Sequence, residues 1–432
     1  MATLRENKKY HLLLFLISPI LGLIYGVKTK KWSYIRWSIF IFVVIYGSVL
    51  HPSHLGDGAR HLENVHTHYT YLNFSQFWEE LTRILSLNPT SNTSTDPYIH
   101  ILSYIVGTIF NSPNLFFTGV AIVFGYFYSG AIVKLLSYVS WNAKYNKFYF
   151  LFFLVLFLFF QTPGDMQSVR TGTAVWVVIY ALISYHQTKK IKYIFLLLAT
   201  PLIHIAYIVL IIPFLVVLLS GLRNPKIYFI IFMVSVLSSN LVNPESANDI
   251  VSQTEVGASK AKSYTVDEER AEQVESGIDE GGGRFYKKYQ SFRIHYNVLT
   301  GLIIFMFLFL RNKGFGEIEN TLFSYGLAGA SFANFLSFNF AIYNRVWLMA
   351  AILILALLLI FLSKENLRNI PYSFLKIKLP LFIFSAALFP YILFLLSANL
   401  NFTSIYVLIA PIAMWVEFDM GISIRGFIGF FM

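Results

Sequence analysis

The chain reads as an all-α, polytopic integral membrane protein, and three observations lead there. Of its 432 residues, 56% are apolar and only 13% charged, about half the charged fraction of a soluble domain. Apolar runs of membrane-spanning length recur from residue 11 to residue 416, so burial against lipid rather than one water-excluding core organises the fold. The excess of 33 Lys and Arg over 22 Asp and Glu gathers in the short loops between those runs, which is the usual mark of cytoplasmic loops. The formal charge of +11 is therefore assigned to topology, and no nucleic-acid partner is expected. With no cysteine there is no disulfide, no Cys-ligated metal and no thiolate nucleophile.

Apolar segments fall near 11–26, 34–50, 98–110, 114–138, 148–160, 168–185, 191–219, 227–242, 296–311, 321–340, 343–362, 379–397 and 402–418, which predicts about 11–13 helical segments, some broken or re-entrant. Arg5, Lys8 and Lys9 precede the first segment in the manner of a signal peptide. No small-x-small cleavage site follows, so the segment is expected to be retained, and Pro19 and Gly22 would let it turn back without crossing. Segment 98–110 is too short for a straight span of about 20 residues. Segment 191–219 is too long, and Pro201 with His204 behind it predicts two half-helices meeting at a break, both ends returning to the cytoplasmic side.

Basic clusters orient the chain. Lys28, Lys30, Lys31 and Arg36; Lys134, Lys144 and Lys147; Lys189, Lys190 and Lys192; and Lys364, Arg368, Lys376 and Lys378 place their loops in the cytoplasm. Residues 1–432 then form a single transmembrane domain. Its outer face carries a loop of short helices over 51–97 and a large polar loop over 243–295, which is either a disordered solvated stretch or a lid. That second loop holds ten of the 22 acidic residues and seven of the 33 basic ones, so the basic excess belongs to the membrane body.

Ionisable groups collect at the outer ends of spans: Asp57, Arg60 and His61 in GDGARH, Asp165 and Arg170 around QSVRTGTA, Arg293, and Arg345 in YNRVW. A charge near hydrocarbon costs a few kcal/mol, so each needs a polar cavity, a partner or the headgroup level. Headgroup anchoring is the ordinary reading of any one arginine. Four together point to a shared anion, phosphate or pyrophosphate above all, because a guanidinium forks onto two oxygens. Asp57 and His61 share a face if their segment is helical, giving a base and an orienting partner, although a turn cap and an exposed histidine have the same spacing. His51, His54, His66 and His68 crowd the same region without a recognised metal spacing, and neither a metal nor another cofactor is expected. His204 is read as a functional residue at the helix break, against the alternative of a satisfied buried histidine.

The arrangement resembles the EpsG/Wzy group of bacterial polysaccharide polymerases. The matching pieces are the GDGARH turn, the DPYIHILSYI stretch, the span opening VRTGTAVWVVIYALISY, and the run KKIKYIFLLLATPLIHIAYIVLIIPF, over roughly residues 50–220, with weaker similarity at NFAIYNRVWLMA. The resemblance implies a membrane glycosyltransferase, with a GT-C-like arrangement of helices compatible, that joins oligosaccharide repeat units carried on undecaprenyl diphosphate into capsule, exopolysaccharide or O-antigen. It implies work at the outer face of the bacterial inner membrane, among membrane lipid, with a flippase and a chain-length regulator as candidate partners. In that scheme Asp57 or His61 is the base; Arg60, Arg170, Arg293, Arg345, His204 and Asp165 bind the diphosphate and sugar, without a metal. A lipid-linked oligosaccharide flippase and a non-catalytic subunit of an export complex remain the alternatives.

Overall fold

The computed structural model describes residues 2–50, 52, 57–88, 96–141, 147–238, 294–311, 315–337, 339–364, 374–409, 411 and 422–429. Arg293 and the polar loop, up to its last two residues, lie outside them. In chain order the helices are α1 Ala2–Ile17, α2 Pro19–Lys28, α3 Trp32–Ser48, α4 Asp57–Thr67, α5 Phe74–Leu85, α6 Pro97–Tyr104, α7 Phe116–Leu136, α8 Lys147–Phe160, α9 Val169–Thr188 and α10 Lys192–Leu198. They continue as α11 Ile212–Ser220, α12 Pro225–Ser238, α13 Ile294–Phe305, α14 Glu317–Phe335, α15 Phe340–Lys364 and α16 Leu379–Phe402. Among the described residues no β-strand forms, only one isolated bridge between Ser404 and Ser423. Among the described residues four stretches, Pro113–Leu136, Lys147–Gln167, Ala341–Lys364 and Lys376–Phe402, are long and apolar enough to cross a membrane, and several apolar helices are shorter. This is an all-α polytopic membrane protein.

The chain divides into two compact units, one of residues 1–137, 161–208 and 396–432, the other of 138–160 and 209–395. In the first, α1 and α2 fold back on each other. His11 Nε2 lies 2.9 Å from the Gly22 carbonyl oxygen, whereas eleven residues of straight helix would separate them by about 16 Å; the break falls at Ser18, whose side chain caps α2. α3 packs against α7 through small residues: a Cβ on Gly47 would stand 2.7 Å from the Phe117 carbonyl oxygen, a close approach of the kind glycine permits between membrane helices. At the centre runs α9, buried without interruption from Gly172 to Ser184, as expected of a helix apolar on every side.

A cap of short helices covers one end of this unit. In α4, Gly58, His61 and Val65 form the buried face. α5 begins with a reciprocal Asn73–Gln76 capping box and buries Phe77, Leu81 and Ile84, one face of an amphipathic helix. Phe77 stacks on Tyr104 of α6 at 4.1 Å and on His100 at 4.9 Å. α6 continues as a single π-turn, Ile105–Ile109, from which Thr108 donates to the carbonyl oxygens of Tyr69 and Leu72. The π-turn thus pins the loop joining α4 to α5.

The segment 191–219 is interrupted where Pro201 predicts. α10 stops at Leu198, a 3₁₀ turn spans Thr200–Leu202, and regular helix resumes only after His204. Over the first part of 402–418 the structure departs from the expected helix: Ile405 N–H donates to Ile422 O at 3.0 Å and Ile424 N–H to Thr403 O at 2.8 Å. There Thr403 and Ser404 offer side-chain partners that compete with helical bonding, and Thr403 Oγ1 lies 2.8 Å from the Tyr46 hydroxyl.

The second unit is built on α14 and α15, the latter buried almost throughout. Trp347 Nε1 donates to Asn334 Oδ1 at 3.1 Å, and Asn334 Nδ2 donates to Ser235 Oγ at 3.1 Å, so a buried amide ties three helices. Tyr296 stacks on Trp347 at 5.2 Å.

Candidate active site

The first unit gathers its charges around the start of α9. Arg170, in the first turn of that buried helix, donates from Nη1 to Asp96 Oδ2 at 2.8 Å and from Nη2 to Asp57 Oδ2 at 3.1 Å. The planar fork holds two carboxylates from separate elements at once, a geometry open to arginine and closed to lysine. Asp57 occupies the first turn of α4, where the helix dipole favours a carboxylate, and it also accepts from Arg60 one turn on. His61 Nε2 stands 3.4 Å from Asp57 Oδ2, as the i,i+4 spacing requires on a helix.

Asp96 is the residue that sequence reasoning left out of the site. It precedes Pro97, the position of an ordinary helix cap, yet its side chain makes no capping bond to its own helix. Instead Oδ1 accepts the Ile205 backbone N–H at 2.7 Å and lies 3.5 Å from His204 Nδ1. The interruption after Pro201 frees that N–H, and the Asp96 carboxylate satisfies it where no water reaches. Asp96 is fully buried and His204 nearly so. The acidic residue before the proline was visible in the sequence, but its partners lie 74 and 108 positions away.

Exposure grades the cluster. The side chain of Arg60 is 65% exposed and that of Asp57 32%, against 16% for Arg170 and none for Asp96. For Asp57, burial raises the carboxyl, but the contact with His61 and the charges of Arg170 and Arg60 outweigh it and hold it far below the usual carboxylate range. For His61, burial pushes the imidazole below its ordinary value; Asp57 opposes that, and the two arginines add to it. At neutral pH the pair is a carboxylate beside a neutral imidazole.

The remaining sequence candidates fall elsewhere. Asp165 is set in the 3₁₀ turn Pro163–Gln167, where Oδ2 accepts from the Thr162 backbone N–H at 2.6 Å and from its hydroxyl at 3.2 Å. That reciprocal cap, signalled by the spacing T-P-G-D, occupies its carboxylate within its own turn. Arg345 is half-buried near the start of α15 in the second unit. Arg293 is outside the described residues.

Fold and cluster together define the class: a helical membrane protein with a partly exposed charged site at the end of its first unit. A family model for EpsG matches residues 63–406, and the chain belongs to the EpsG family, a polysaccharide polymerase-like group of membrane proteins. The match takes in Asp96, Arg170 and His204 and begins just after His61. No curated protein and no solved structure matches the chain.

Proposed function

We propose that this protein is a membrane glycosyltransferase that joins undecaprenyl diphosphate-linked oligosaccharide repeat units at the outer face of the bacterial inner membrane. The observation that carries the reading is the fork of Arg170 on Asp57 and Asp96, which fixes a part-exposed carboxylate at the mouth of a buried charge cluster, with a buried, neutral histidine beside it. In the reaction the acceptor hydroxyl oxygen bonds to the anomeric carbon of the donor sugar. The bond from that carbon to the diphosphate oxygen breaks, and its electron pair leaves with the diphosphate.

The parts divide by exposure and charge. His61 takes the hydroxyl proton, because Asp57, held so strongly ionised, is a weak base. Asp57 orients the imidazole and stabilises it once charged, as a carboxylate does for a neighbouring histidine base. Arg60 has the exposed guanidinium and can turn from Asp57 to the leaving diphosphate, whose growing charge it offsets. Arg170 acts from behind as the clamp on both carboxylates, with Asp96 and His204 fixing its far side. No metal is required by this division of labour.

The test is to incubate purified protein with a lipid-linked repeat unit, with and without chelator. A ladder of longer glycans in both samples is expected. A ladder abolished by chelator would keep the polymerase and refute the metal-free mechanism. No ladder, together with translocation of the same lipid across liposomes, would replace the reading with a flippase.

A further inference from the structure

Between α3 and the start of α7 the first unit encloses a cavity of about 570 Å³, within the range of ligand sites. Its lining is almost wholly apolar, with Phe40, Ile45 and Ile122 along its length, and with Ser48 at the end of α3, Asn114 in the turn before α7 and Thr118 in the first turn of α7 at one end. Phe40 and Ser48 are eight residues apart, so the cavity follows about 12 Å of helix. Ile122 is 48% exposed, so the cavity is open from the side, towards lipid.

The end at Ser48 and Thr118 adjoins the charged site. A Cβ on Gly58, the neighbour of Asp57, would lie 2.9 Å from the Phe117 ring, and Phe117 precedes Thr118 on α7. The first turn of α4, with Asp57 and Arg60, therefore rests on the first turn of α7 beside that end of the cavity. An amphiphile with its anionic head at Arg60 and its tail running down α3 fits the apolar lining and the charge next to it.

We propose that this groove seats the first isoprenoid units of a polyprenyl diphosphate whose head group lies against Arg60. The inference rests on the polymerase reading and adds the path of the tail. In lipid there is no hydrophobic gain in moving a chain from bilayer to groove, so preference comes from shape and from the anchored head. The groove should therefore select a branched prenyl chain on a diphosphate over a phospholipid acyl chain.

Two measurements test it. A photoreactive polyprenyl diphosphate should label α3 or α7 residues of the groove, with undecaprenyl phosphate competing and phosphatidylglycerol not. Labelling elsewhere, or equal competition by the phospholipid, overturns the proposal whether or not the protein polymerises anything. Second, Ile122→Trp, at a half-exposed position that tolerates bulk, and Thr118→Leu as an independent variant, should raise the KM for a repeat unit on undecaprenyl diphosphate by about tenfold. The same unit on methyl diphosphate, which has no prenyl tail to seat, should be used as by the unmodified protein. Equal effects on both carriers, or none on either, refute the tail path. Labelling in the groove with no polymer from any carrier would refute the polymerase reading and leave the lipid site standing.

Discussion

Two clusters hang from the same short helix, and they are held by different forces. At its start Asp96 enters the charged network of Arg170, Asp57 and His204. One turn on, His100 enters a stacked one: its Nε2 lies 3.0 Å from the Phe77 carbonyl oxygen and its Nδ1 2.8 Å from the Tyr69 hydroxyl. A bond to a carbonyl makes Nε2 the protonated nitrogen, so Nδ1 accepts and the tyrosine donates. The stacked cluster is ring contacts and hydrogen bonds that dock α5, with the Glu80 carboxylate of that helix at its edge, 3.8 Å from His100 Nδ1, and apolar packing could share most of that work. The charged one is costly to bury and is as readily replaced by apolar residues where only stability counts. Its presence beside a half-exposed carboxylate and a neutral histidine marks it as the region kept for chemistry, and the stacked cluster as scaffold.

The largest expected effect comes from breaking the charged side. Arg170→Ala leaves two carboxylates facing each other, one fully buried, and should cost about 3–5 kcal/mol, the usual penalty of an orphaned buried charge. Thermal unfolding in detergent and protein level in the membrane measure it. Arg170→Lys keeps the charge and loses the fork, so polymer should fall by about a hundredfold or more at normal protein level. Full activity in the lysine variant would show that the two carboxylates need no common clamp.

On the scaffold side the cost is in stability. Phe77→Ala removes the ring stacked on both His100 and Tyr104 and should destabilise the docking of α5 by about 3 kcal/mol. Because α5 is an outlying helix, limited proteolysis should cut first within 74–85 while the rest of the chain stays protected. Polymer should fall by less than in Arg170→Lys. Equal loss at equal protein level would put the stacked cluster inside the active machinery and erase the distinction.

Arg60 sharpens the contrast within the charged cluster, since it shares Asp57 with Arg170 but stands in solvent. An exposed pair of this kind is worth less than about 1 kcal/mol, so Arg60→Ala should leave thermal stability nearly unchanged. If Arg60 meets the diphosphate, the KM for the lipid-linked donor should rise about tenfold and become less sensitive to salt.

What the sequence shows and hides follows from the range of the interactions. Asp57 with His61 is legible because both lie on one helix turn, and the break at Pro201 because proline cannot complete the ladder. Arg170 stands out as a charge at the edge of an apolar run. The pairing of Arg170 with Asp96 joins positions 74 apart and leaves no local periodicity. Asp96 hid behind a proline that makes it look like a helix cap; only the structure shows the side chain turned from its own helix to the N–H freed at Ile205. Asp165 hid the other way, since charge near the membrane edge drew the eye from a capping box.

The smallest effect, and the most specific, is the pH dependence of His61. Burial holds its folded-state pKa below the ordinary 6.5, so below about pH 6.5 the unfolded chain takes up a proton that the folded chain refuses. Stability should therefore decline as pH falls through that value and continue to decline down to the folded pKa. Asp57, ionised in both states between pH 5 and 7, contributes a constant there. His61→Gln should flatten this part of the stability curve relative to the unmodified protein. Catalysis should run the opposite way: because the folded imidazole stays neutral below pH 6.5, the acid limb of kcat/KM should lie beneath that value while stability is already falling. His61→Gln should lower kcat by about a hundredfold. A variant that keeps full kcat and the same acid limb would remove His61 as the base and leave it as packing beneath Asp57.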